Sequence, residues 1–166
     1  MNANRTIAEG TDLVAFIEEG TTVKTYRPIA AQTGCAISDD GDQLESTSKN
    51  VGKFANYQYG RDRWGATVDV QVPADADVLE IDYHELRLMR RAKVKPVVFF
   101  AFVTSAGIID TTRPAYRGTV LLKTPLDAPD GELMKTTITM QGCGELEDLD
   151  FVLTAWVKVA ATYPGV

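Results

Sequence analysis

Trp64-Gly65-Ala66-Thr67-Val68-Asp69-Val70-Gln71-Val72 alternates without a fault. Trp64, Ala66, Val68, Val70 and Val72 fall on one side; Gly65, Thr67, Asp69 and Gln71 fall on the other. Successive side chains of a strand point to opposite faces. This stretch is therefore a strand with one packed apolar face and one small-polar face turned to solvent or to a channel. Pro73 ends it, since proline brings no N–H to a ladder.

Working outward, the same period recurs. Met134, Thr136, Ile138 and Met140 alternate with Lys135, Thr137, Thr139 and Gln141, and Gly142-Cys143-Gly144 reads as a stop. Val97–Val103 is apolar at every position, which predicts a central strand buried on both sides. Asp12–Ile17 and Thr21–Tyr26 read as a hairpin, Ile29–Ser38 as a longer strand and Tyr116–Lys123 as another. One segment has a helical period: Asp82 as cap with Glu85 three residues on, and Leu79, Tyr83, Leu86 and Met89 on one side. Arg87, Arg90, Arg91, Lys93 and Lys95 gather at its end, where cations complement the helix dipole. The fold class predicted is mainly β: a β-sandwich or partly closed barrel with one flanking α-helix. Residues 1–166 form one domain, with a flexible N-terminal arm (1–11), a long loop (about 41–63) and a C-terminal extension (147–166). The core is predicted to gather Trp64, Val68, Val70, Phe99, Ile138 and Met140 around Leu86.

A chain of 166 residues, 45% of them hydrophobic and 24% charged, is long enough to bury a core without staples. A net charge of -6 argues against tight binding to phosphate backbones, which depends on Lys and Arg displacing counterions. Residues 1–10 have no apolar signal segment, and the apolar run at Val97–Val103 is too short to span a bilayer. A cytoplasmic origin is expected. Cys35 and Cys143 read as free buried thiols, with a disulfide as the alternative.

Catalytic motifs are not found. His84, the sole histidine, has no second ligand or nucleophile at useful spacing. Gly52-Lys53-Phe54 lacks the Lys-Ser/Thr ending of a phosphate loop. Asp39, Asp40, Asp42 and Glu45 lack the register of a calcium loop. The expectation is no enzyme, no metal and no cofactor. The predicted loop does carry Phe54, Tyr57, Tyr59 and Trp64 among Lys49, Lys53, Arg61 and Arg63. That mixture suits a protein–protein contact, or alternatively a small β-barrel binding module for a ligand or a single nucleic-acid strand. With Glu45 supplying an opposite charge, Glu45, Lys49, Lys53, Phe54, Tyr57, Tyr59, Arg61 and Arg63 form the candidate contact set.

Four stretches in order resemble the tail tube (major tail protein) family of long-tailed phages. They are Gly10–Ile17; Ile37-Ser38 leading through Glu45-Ser46-Thr47-Ser48-Lys49-Asn50 to the Trp64 strand; Tyr83–Met89 running into Lys95–Phe100; and Tyr116–Leu122 with Met140–Leu146. The resemblance covers Gly10 to Leu146. Similar tubes occur in contractile tails, gene-transfer particles and type VI secretion. It implies a self-assembling structural subunit, made in the host cytoplasm and placed in the virion tail. Six copies would form a ring, and rings would stack into a conduit that DNA traverses without specific binding. Initiator, tape measure and terminator proteins would be the other partners, and no membrane is involved. It further implies that Thr67, Asp69, Gln71, Thr137, Thr139 and Gln141 line the lumen, although by pattern alone they could equally face bulk solvent. The contact set would then serve ring stacking.

Overall fold

The computed structural model describes residues 13–45, 57–73, 75, 77–126, 134–152 and 155–158, with only the backbone path for 151–158. Eight strands and one helix follow in order: β1 (Leu13–Glu19), β2 (Thr25–Pro28), β3 (Gln32–Glu45), β4 (Tyr57–Gln71), α1 (Tyr83–Arg91), β5 (Val97–Phe102), β6 (Ala115–Lys123), β7 (Lys135–Val152) and β8 (Ala155–Lys158). The strands make one antiparallel sheet in the order β2-β1-β5-β6-β7-β4-β3, with β8 beside the end of β7. The fold is mainly β with a single helix among the described residues, as the alternation predicts.

The sheet curls, so that its concave face encloses one core. Ala15, Ile17, Val98, Phe100, Val120 and Ile138 meet there with the β4 residues Trp64, Val68 and Val70. The edge strands β2 and β3 do not pair with each other, so the curl is not a closed barrel. A side chain bridges the seam instead. The Gln32 amide accepts from the Ala15 N–H (3.0 Å) and donates to the Ala15 and Ile29 carbonyls (3.1 Å each), copying the exchange a strand would make.

β5 is buried on both sides, with Val98, Phe99, Phe100 and Ala101 each no more than 1% exposed. Phe99 corrects the predicted core. It lies opposite Phe16 in the register and packs with Ala101, Ala115 and Leu149 on the convex face, while Phe100 shares Leu86's cluster. An all-apolar strand gives no clue to its parity. The Tyr26 ring closes on Phe99 at 4.6 Å between centroids.

α1 begins where the sequence places it. Asp82 caps it by accepting from the Glu85 N–H at 2.8 Å, and Tyr83 and Leu86 face the core. Leu79, expected on that face, is 72% exposed before the helix starts. Glu85 does not return to the cap. Its carboxylate meets Arg27 at 3.2 Å, and Arg27 also reaches Glu19 at 3.2 Å and the Glu80 carbonyl at 2.6 Å, tying β1 and β2 to the helix entry.

Two predicted boundaries move. The stretch about 41–63 is not one long loop: strand occupies 41–45 and 57–63, paired from Asp39↔Trp64 to Glu45↔Tyr57. These strands show no hydrophobic period because β7 pairs only with Gly65–Gln71 of β4, leaving the outer part no third strand among the described residues to pack on. The C-terminal extension likewise starts later than 147, since β7 runs through Gly142-Cys143-Gly144 to Val152. The arm at 1–11, the tip at 46–56 and residues 159–166 lie outside the described residues.

Candidate functional site

No cleft among the described residues gathers catalytic groups, and three surfaces stand out instead. The first is the convex face of the four strands β3, β4, β7 and β6. Cross-strand registers place Thr67 between Ala36 and Thr139, Asp69 between Gly34 and Thr137, and Gly65 between Ser38 and Gln141. Gln71 faces Lys135 at the end of the ladder. All six candidate lumen residues therefore share one face, and Thr137 donates its hydroxyl to the Asp69 carboxylate at 2.5 Å. The face is not free of cations or apolar atoms, as the six alone suggested. β6 adds Leu121 beside Gln141 and Lys123 beside Thr139. Sequence reasoning missed these two because β6 alternates less cleanly than β4. Asp69 also acts on β3. Burial, and secondly the Asp69 charge, push the Cys35 thiol up to about 12. Cys35 and Cys143 are both free.

The second surface is the two-stranded ribbon formed by 39–45 and 57–63. Of the candidate contact residues, Glu45, Tyr57, Tyr59, Arg61 and Arg63 lie on it; Lys49, Lys53 and Phe54 fall outside the described residues. Leu44 is 57% exposed, Tyr57 63% and Tyr59 90%. Arg63 is spent on Asp42 at 3.0 Å. The ribbon stem holds Asp39, Asp40, Asp42, Glu45 and Asp62 against Arg61 and Arg63, so it is acidic.

The third is the solvent side of α1 and the turn after it. Arg87, Arg90, Arg91, Lys93 and Lys95 occur between Leu86 and Pro96 with no carboxylate among them. Leu88 and Val94 stand among these cations, 63% and 50% exposed. The helix closes on Lys93 at φ 58°, with its N–H donating to the Arg90 carbonyl at 3.1 Å and the Val94 N–H to Met89 at 3.0 Å. Arg87, Arg90 and Lys123 also line a groove of about 610 Å³ beside Tyr83 and Thr139.

An ion cluster on the convex face ties the strands together. Glu18, 2% exposed at its side chain, is held by Arg117 at 2.8 Å and Lys24 at 2.9 Å, and Arg117 continues to Glu147 at 3.3 Å. Burial, followed by the Glu18 charge, raises the Tyr26 phenol above its usual range. Among the described residues no three His, Cys, Asp or Glu side chains gather as metal ligands. No described helix is long and apolar enough to cross a membrane. His84 is exposed beside the Tyr83 ring.

No family model and no curated protein matches the sequence. Solved structures do match in fold. The tail of an empty gene transfer agent particle, with C6 symmetry, aligns at TM-score 0.62 and 16% identity over 89% of this chain and 100% of that one. The SPP1 tail tube aligns at TM-score 0.62 and 9% identity over 83% and 77%. The tube-terminating cap of the anti-feeding prophage aligns at 0.56 and 14% over 92% and 95%. The fold of this chain is thus that of tail-tube-like proteins.

Proposed function

We propose that this chain is a structural subunit of a phage-type tail tube, that six copies form a ring, and that rings stack into a hollow conduit for DNA in a virion tail. The observation that carries the reading is the fold match across most of the chain to the tail of a gene transfer agent and to the SPP1 tail tube. The convex face of β3, β4, β7 and β6 suits the wall of such a conduit. It is polar and small-featured, and a polyanion passing it would find Asp69 and hydroxyls rather than a continuous cationic track. Initiator, tape measure and terminator proteins are the partners this function requires, and no catalytic step is part of it. The acidic ribbon stem weighs against the alternative of a single-strand-binding module, which needs net positive charge along the strand.

Negative-stain microscopy of the purified chain, alone and with an initiator complex, tests the proposal. Rings or tubes of six-fold symmetry are expected. A monodisperse species across salt and concentration, unconverted by any initiator, overturns it.

A further inference from the structure

The ribbon and the solvent side of α1 each lack a covering element among the described residues, and they complement each other. The ribbon stem presents Tyr57 and Tyr59, exposed on the face that the register gives to the carboxylates Asp39, Glu45 and Asp62, while Leu44 and Asp40 stand on the other face. The helix side presents Leu88 and Val94, exposed among Arg87, Arg90, Arg91, Lys93 and Lys95. Apolar centres rimmed by opposite charges are what a specific interface joins. Among the described residues the ribbon beyond Trp64 has no third strand, and a two-stranded ribbon alone is only marginally stable, so it gains most from being covered. Lys93 holds a left-handed backbone where helices ordinarily place glycine, so a cation stands at a turn whose geometry disfavours it.

From these features we infer that the ribbon of one copy docks on the α1 face of a second copy. The inference rests on the tube reading and names the surface that receives the ribbon. Because the two surfaces are different parts of the chain, the contact is heterologous: every copy gives a ribbon and receives one. Such contacts propagate into rings or stacks rather than stopping at dimers. Charge at the rim makes growth sensitive to salt.

Two variants test this. One carries Arg91→Glu and Lys95→Glu on the helix face; the other carries Asp39→Lys and Asp62→Lys on one face of the ribbon. All four positions are exposed and make no ion pair among the described residues, so circular dichroism is expected to match the parent. Each variant alone should lose pelletable assemblies to background. An equimolar mixture should recover them, since each then offers the surface the other lacks. Wild-type chain is the control, and its failure to assemble would count against the tube reading instead. Normal assembly of either variant alone, or no recovery on mixing two folded variants, overturns the docking. Loss of DNA delivery with intact assembly would assign the cations to the polyanion and overturn it too.

Discussion

At the scale of single residues, Trp64 organises the join between three strands. A Cβ on Gly118 would sit 2.3 Å from its ring, and one on Gly142 equally close, while its Nε1 donates to the Gly144 carbonyl at 2.9 Å. The indole therefore lies flat on the backbones of β6 and β7. Gly142→Ala is expected to cost about 1–3 kcal/mol by overpacking, read as a lower denaturant midpoint with a shifted Trp fluorescence maximum; an unchanged midpoint would mean the ring lies elsewhere. Burial of Trp64 was legible from the alternation. The role of Gly142 was not, because a glycine that ends a strand and one that makes room for a ring look alike until the partner is known. Cys35 gives a second residue-scale prediction. Its folded thiol is raised from 9.0 to about 12, so the stability it contributes is complete below pH 9 and fades as pH rises toward 12. Relative to Cys35→Ala, the parent should lose stability across that window, and Cys35 should alkylate slowly until urea is added. Equal slopes for the two proteins would remove burial as the cause.

At the scale of elements, helix and central strand were readable and the ribbon was not. α1 was marked by a cap and a 3.6-residue period, and β5 by seven apolar residues in a row. The ribbon carries neither signal, since period two appears only where one face is buried, and among the described residues Gln43–Glu45 and Tyr57–Tyr59 pair only with each other. The same fact yields a prediction. Replacing residues 43–60 by an Asn-Gly turn should leave the spectrum and denaturant midpoint nearly unchanged, because the curled sheet does not lean on the ribbon tip. Assembly should be lost. Tubes of normal length from the shortened chain would take the ribbon out of the contact, leaving residues 153–166 as the next segment to remove.

At the scale of the whole molecule, the charges are sorted by surface. Cations collect on α1 and carboxylates on the ribbon stem, while the convex face of β3, β4, β7 and β6 sets Asp69 among hydroxyls with Lys123 and Lys135. The sequence supplied the alternation that puts Thr67, Asp69, Thr137 and Thr139 on one face. It could not show that β6 adds Lys123 to that face, because strand neighbours far apart in the chain leave no local mark. If this face lines the conduit, Asp69→Lys combined with Thr139→Lys should slow DNA ejection while tubes still form. Unaltered ejection kinetics from virions carrying both changes would place the face outside the lumen.

The strand order also sets a timetable for the nascent chain. β4 waits for β7 and β1 for β5, so the pairs that define the sheet join segments separated by roughly half the chain. Such non-local topologies fold in milliseconds to seconds rather than microseconds. During synthesis the β3–β4 hairpin emerges with Trp64, Val68 and Val70 uncovered, and their core is not complete until Ile138 and Met140 have left the ribosome. That interval is when the chain is most exposed to misassociation. Truncated chains ending before β7 should accumulate as aggregates or bound to chaperones, and the yield of soluble subunit should rise as translation is slowed by cooling.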